Sequence, residues 1–243
     1  MKVTGQAPEK RSNLHLNVAS ALGSRIVGGE FPVGQLIPTE AELGASFGVS
    51  RTVVREAVKL LVSKGLLRTG SGIGTWVPDV SEWNFLDPMV FAWVQASENS
   101  EAVIRQLFAF RSAVEPAAAA EAARNATVAQ LYAIESALET MSSAKDDFAQ
   151  WIEGDVAFHT AIYIASNNVF MAPLANVFRQ YFQMSFRVSS SNQHHQHCLQ
   201  EHYDVFKAIR DRKPEKASRA VKVLLENANA DACEVLAEAH RTN

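Results

Sequence analysis

The sequence predicts a mainly α-helical protein: an N-terminal winged helix-turn-helix of three helices and a β-hairpin, followed by an antiparallel bundle of six or seven helices. Three observations predict it. Short helical periodicities are punctuated by glycines up to residue 78, the chain from Asp87 onward is apolar at helical spacing with no alternating stretch, and the charge divides between these two parts.

The 243 residues are 47% hydrophobic and 20% charged, a globular composition with apolar material for two cores. The formal charge of −3 conceals a split: residues 1–78 hold nine Lys and Arg against five acids, and the remaining 165 hold 14 against 21. A basic end joined to an acidic one suits a nucleic-acid-reading head on a regulatory body. No apolar run reaches the roughly 20 residues that span a bilayer, and the basic residues of Met1–Asn13 lack the apolar stretch of a signal peptide, so the expectation is a cytoplasmic protein without a membrane partner. Cys198 and Cys233 have no C-x-x-C spacing and read as free thiols of a reducing compartment.

Each element of the head has a local cause. Leu16, Ala19, Leu22, Ile26 and Val27 recur at helical spacing over residues 14–28, which Gly28-Gly29 closes. Phe31-Pro32-Val33-Gly34 reads as a turn. Thr39 followed by Glu42 is a capping box that starts a short helix through Phe47, and Gly48 breaks it. Ser50 caps a third helix, Arg51 to Lys64, with Val54, Val58, Leu61 and Val62 inward and Arg51, Thr52, Arg55 and Lys59 outward. Gly65 ends it. Two short strands, near Leu66–Thr69 and Thr75–Val77, flank the glycine-rich turn Gly70-Ser71-Gly72-Ile73-Gly74.

In a helix-turn-helix the second helix enters the major groove, N-terminal residues first. Arg51, Thr52 and Arg55 occupy those places. Arg pairs bidentately with guanine, while hydroxyls such as those of Ser50 and Thr52 suit phosphates. Ser71 and Gly72 at the wing tip allow close approach to DNA, and Lys59, Lys64 and Arg68 are placed for salt-sensitive phosphate contacts. The alternative for this stripe is a solvated helix face.

The segment Leu36-Ile37-Pro38-Thr39-Glu40-Ala41-Glu42-Leu43, followed by Phe47-Gly48-Val49-Ser50-Arg51-Thr52-Val53-Val54-Arg55-Glu56-Ala57, resembles the GntR superfamily signature. The resemblance implies operator contacts through Arg51, Thr52, Arg55 and Gly72. It departs at Ala41, where the family commonly carries Arg.

From Pro88, set behind an Asp cap, helices are expected near 88–96, 99–124, 127–143, 147–166, 169–188, 195–212 and 214–239. Three of them carry polar residues on apolar seams: Arg111 among Ile104, Leu107, Val114 and Ala118; Asp155 and His159 between Ile152 and Ile162; His202 among Leu199, Phe206 and Ile209. Buried charge is costly unless paired or metal-bound. Asp155, His159 and His202 suit a divalent metal, zinc or similar, and Arg111 suits a carboxylate. The alternative is an internal salt bridge of Arg111 with Asp155 or Glu115 and two satisfied core histidines.

The set is similar to the FadR-like branch of the GntR regulators, whose helical FCD-type domain holds a metal through an Asp-x-x-x-His pair and two later histidines, in a pocket for organic acids. That resemblance implies Asp155, His159 and His202 as three of four ligands. The family's final histidine falls at about Leu224. His194, His195 or His197 are candidates to compensate, or they form a solvated loop. Tyr163, Gln183 and Arg187 are further effector-binding candidates. The linker Trp83-Asn84-Phe85-Leu86-Asp87 and the helix Phe91-Ala92-Trp93-Val94 look similar to those of galactonate-operon repressors, a subgroup that implies a sugar acid such as an aldonate.

The expected organisation is therefore a flexible arm (1–13), a winged-helix DNA-binding domain (14–78), a linker with a first helix (79–98), and a helical effector-binding and dimerisation domain (99–243). The expected function is a homodimeric transcription regulator, a repressor by preference, that binds double-stranded operator DNA under control of a small carboxylate. Two rivals stand beside it: a metal-dependent hydrolase or lyase with an appended winged helix, and a structural bundle with no effector.

Overall fold

A computed structural model describes residues 13–97, 100–145, 147–175, 179 and 195–241. The chain forms two compact units, residues 1–100 and 101–243.

The first unit contains α1 (Leu14–Val27), α2 (Glu40–Phe47), α3 (Arg51–Ser63), β1 (Arg68–Gly70), β2 (Gly74–Trp76), a 3-10 turn (Val80–Glu82) and α4 (Pro88–Gln95). Helices α1 and α2 both pack on α3. Leu22, Ile26, Leu43, Leu61, Leu66 and Leu67 are the fully buried centre, each contributing about 1.5–3 kcal/mol through burial. The capping box is present: the Thr39 hydroxyl accepts from Glu42 N–H, and Thr39 N–H donates to the Glu42 carboxylate at 2.8 Å. Gly48 closes α2 in the left-handed region at φ 66°.

Two periodicity expectations fail at the edges of faces. Val62 is 37% exposed, because it lies 100° around α3 from Leu61, on the flank of the Val54–Ala57–Val58–Leu61 stripe. Leu16 in the first turn of α1 is 39% exposed, and the buried stripe begins at Val18. The hairpin pairs Arg68 with Trp76, Thr69 with Thr75 and Gly70 with Gly74. Residues expected only as connection widen it, since Ile37 N–H donates to Thr75 O and Val77 N–H to Gln35 O.

The segment expected as linker and first helix falls within the first unit. Asp87 caps α4 by accepting from Met89 and Val90 N–H, and its other oxygen pairs with Lys64 Nζ at 2.6 Å. The ring of Trp93 lies where a Gly23 side chain would be, 2.5 Å from an ideal Cβ, and its indole N–H donates to Ser20 at 3.2 Å. Glycine at position 23 is thus what lets α4 dock on α1.

The second unit contains all but the first residue of α5 (Ser100–Asn125), together with α6 (Val128–Ser143), α7 (Phe148–Ala165), α8 (His195–Arg210) and α9 (Pro214–Arg241). Helix α7 packs closely on α6, α8 on α9, and α8 on α6. Gly154 permits the first of these approaches, because a Cβ there would sit 2.6 Å from Met141 Cγ. Arg212, in the left-handed region at φ 58°, donates to Ala123 O and Ala126 O and fastens the α8–α9 turn to the end of α5. Pro116 lies inside α5 without ending it. Of the helix expected over 169–188, residues 169–173 are turns, and most of the rest lies outside the described residues. Among the described residues no helix is long and apolar enough to cross a membrane.

Candidate functional site

On the first unit the candidate DNA-facing residues form one outward set. Ser50 N-caps α3, accepting from Val53 N–H, and Arg51, Thr52, Arg55 and Lys59 are all exposed on that helix. Lys59 pairs with Glu56 at 3.0 Å, an exposed contact that phosphate can displace. Ser71 and Gly72 are exposed at the wing tip, with Gly72 at φ 75°. Lys64 is a correction. Its ammonium is buried against Asp87, so it is not placed for phosphate, and Arg68 pairs with Glu82 at 2.5 Å.

The polar seams of the second unit converge. Arg111 and Glu115 come from α5, Asp155, His159 and Tyr163 from α7, and His202 from α8, and all six are buried. Positions 155, 159 and 163 lie one turn apart, so α7 presents its three groups as a column. Ligand atoms of Asp155, His159 and His202 lie within 4.8 Å of one another. His202 Nε2 stands 2.6 Å from Asp155 Oδ1, and His159 Nε2 stands 3.6 Å from the same oxygen. Despite that proximity, neither Asp155 oxygen nor His202 Nε2 meets hydrogen-bond geometry with any partner among the described residues. Buried polar atoms are seldom left so, and this donor set, one carboxylate and two imidazoles, fits a divalent metal such as zinc.

The surroundings orient the rings. His202 Nδ1 faces the Cys198 carbonyl at 2.7 Å, and His159 Nδ1 faces Glu115 Oε2 at 2.7 Å. Phe158, fully buried, meets both imidazoles edge-on, with centroids at 5.7 Å from His159 and 4.9 Å from His202. Arg111 donates from Nε to Glu115 Oε1 at 2.7 Å and stands over the Phe108 ring. Burial by itself would raise the Glu115 carboxyl, but the charge of Arg111 and the adjoining His159 outweigh it and hold the group down at about 2. Burial, reinforced by the Glu115 charge, pushes the Tyr163 phenol up, so it stays protonated. At His202 burial disfavours the cation, yet Cys198 and Asp155 outweigh it and the net direction is up.

The internal salt bridge held open from sequence is thus present between Arg111 and Glu115, together with the converging metal-type ligands. Two expected effector residues, Gln183 and Arg187, lie outside the described residues, as does His194. His195 and His197 fall in the first turn of α8, with side chains outside the described set. Leu224, at the place of the family's final histidine, is a buried apolar residue of α9. Sequence reasoning did not find the role of Glu115 at His159. Its one signal was the four-residue spacing from Arg111, which says nothing of a histidine on another helix.

Comparison with known proteins bears on both units. Residues 14–77 match the model for bacterial regulatory proteins of the gntR family, and residues 106–227 match the FCD domain. The chain is 37% identical over 194 residues to the HTH-type transcriptional regulator YieP of Escherichia coli K12, covering 79% of this chain and 84% of that one. It is 30% identical over 212 residues to the galactonate operon transcriptional repressor of the same organism, covering 86% and 92%. It is 33% identical over 226 residues to the repressor NanR of Klebsiella aerogenes, covering 92% and 86%. Among solved structures, a GntR protein of Streptococcus agalactiae aligns with a TM-score of 0.50 at 25% identity, over 90% of this chain and 99% of that one. Lar of Listeria monocytogenes shares the fold with a TM-score of 0.62 at 17% identity, over 96% and 99%.

Proposed function

Because the chain belongs to the GntR family of bacterial regulatory proteins, with an FCD domain behind its winged helix, we propose that it is a homodimeric repressor whose operator affinity is set by a small carboxylate bound at a metal. It is a DNA-binding transcription regulator and not an enzyme; its relatives are regulators, and the hydrolase or lyase alternative has no support among them. In the proposed division of labour residues 14–78 read DNA, 79–98 connect, and 99–243 bind effector and dimerise. Base reading falls to Arg51, Thr52 and Arg55, and phosphate and wing contacts fall to Ser50, Lys59, Ser71 and Gly72. Dimerisation supplies the second winged helix for a two-fold operator.

The observation that carries the effector reading is the buried convergence of Asp155, His159 and His202, with Asp155 and His202 Nε2 lacking hydrogen-bond geometry. These three residues would hold the divalent ion, which would supply a Lewis-acidic site for an oxygen-rich ligand. The charge balance then favours an anion. Without metal and with both imidazoles neutral, Arg111, Glu115 and Asp155 leave one net negative charge in the interior, and the protonation that its neighbours favour at His202 brings it to zero. With a divalent ion and neutral imidazoles, the same interior is one net positive. An acidic effector therefore needs the metal, with Arg111 and Tyr163, and Gln183 and Arg187 by expectation, completing the site. A relative named for repressing the galactonate operon supports a sugar acid such as an aldonate as the ligand.

The experiment is a thermal-shift series on untagged protein with aldonates and other small carboxylates, with zinc or with chelator. A ligand at 100 times its Kd stabilises by about 2.7 kcal/mol, an easily resolved shift. Stabilisation only in the presence of metal is the expected result. Equal stabilisation under chelator, or none with any acid, would refute the reading.

A further inference from the structure

The two imidazoles of the site are wired alike. Each turns Nδ1 toward an acceptor at 2.7 Å, His202 toward the Cys198 carbonyl and His159 toward Glu115 Oε2, and each leaves Nε2 toward Asp155 Oδ1. An ionised carboxylate only accepts, and at His159 Nδ1 lies 2.7 Å from Glu115 while Nε2 lies 3.6 Å from Asp155, so the proton of a neutral His159 ring sits on Nδ1 and the lone pair on Nε2. The two acceptors differ in kind. That of His202 is main chain, one turn back on the same helix, and no substitution removes it. That of His159 is a side chain from α5, itself gripped at Oε1 by Arg111 Nε at 2.7 Å, and both are buried.

We propose that Glu115 is the positioning residue of this metal site: held by Arg111, it fixes His159 as the Nδ1–H tautomer with Nε2 presented beside Asp155 and His202 Nε2. Partners behind a ligating histidine set its tautomer, its orientation and its basicity, and losing them weakens metal binding by about 10–100-fold. Arg111 acquires a second role through the same contacts. Whatever pulls the guanidinium changes the grip on Glu115 and hence on His159, so a carboxylate at Arg111 and an ion at His159 act on one another through a single side chain. The metal affinity in this inference rests on the function proposed above, whereas the tautomer does not.

Removing Glu115 alone would take from buried Arg111 the carboxylate at its Nε, so the test uses two double variants of the full chain, R111M/E115L and R111M/E115Q. Leucine cannot accept a hydrogen bond, whereas the glutamine carbonyl still takes one from Nδ1–H. Zinc affinity, read by competition with a chromophoric chelator, should fall about 10–100-fold in R111M/E115L and be largely kept in R111M/E115Q. Equal affinities in the two variants, whether both kept or both lost, would overturn the inference. Wild-type protein free of metal provides the second readout at pH 8: long-range 1H–15N correlations of His159, assigned by their loss in His159→Gln, should show the proton on Nδ1. A proton on Nε2, or on both nitrogens, would overturn it even if the variants fail to fold. If wild-type protein binds no zinc, the metal reading fails, while the tautomer still decides the part played by Glu115.

Discussion

In the winged-helix unit Arg51, Thr52, Arg55 and Lys59 stand exposed on a helix whose other face is packed, while in the helical unit Arg111, Glu115, Asp155, His159 and His202 are all buried. Exposed charges keep their hydration in the free protein, so they are available to DNA without cost to the fold. Buried charges have lost their water and depend on one another, so each is at once a functional group and a structural one. The same residue types therefore answer differently to substitution in the two regions.

The largest effect expected is from breaking the buried pair. Glu115→Ala takes the Glu115 carboxylate from buried Arg111 and should cost about 3–5 kcal/mol in urea unfolding, while R111M/E115Q, which removes both charges, should cost far less. If the single and double variants cost the same, the ion pair is not what holds this interior.

Next comes pH. The folded-state carboxyl of Glu115 is held at about 2, below its ordinary value of 4.5, so its stabilising contribution is complete above 4.5 and lost as pH falls toward 2. That difference corresponds to roughly 3 kcal/mol. The stability advantage of wild type over R111M/E115Q should shrink by that order between pH 4.5 and pH 2. An advantage that grows with acid would contradict the sign.

On the DNA-reading unit the effects are smaller and fall on a different quantity. Arg51→Ala or Arg55→Ala should weaken operator binding by about 1–3 kcal/mol in fluorescence anisotropy and leave the melting temperature unchanged. Thr39→Ala removes the cap of α2 and should cost about 0.5–2 kcal/mol of stability in the winged-helix transition alone. Smallest is Lys59→Ala, expected to lower the slope of log affinity against log salt by about 1 with little change in sequence preference.

The same contrast explains what was legible in the sequence. The capping box at Thr39, the Ser50 cap, the Asp87 cap before Pro88 and the glycine wing are local patterns whose cause and consequence lie within a few residues, and all are present. Arg111, Asp155, His159 and His202 were legible as polar breaks in apolar seams, because periodicity identifies the buried face. Which polar groups meet depends on how helices far apart in sequence pack. Glu115 at His159, the Cys198 carbonyl at His202 and the Asp87 partner of Lys64 were out of reach for that reason. Lys64 shows the reverse error. A lysine at the end of a basic helix reads as a phosphate contact until the cap of α4 is found to claim it.

The most direct test of ligand control is operator binding itself, measured by anisotropy of a labelled duplex from the region upstream of the chain's own gene. Zinc with galactonate or another aldonate should weaken binding by roughly 5–150-fold, and chelator should abolish the response. An affinity that no sugar acid moves while zinc is bound would contradict the account.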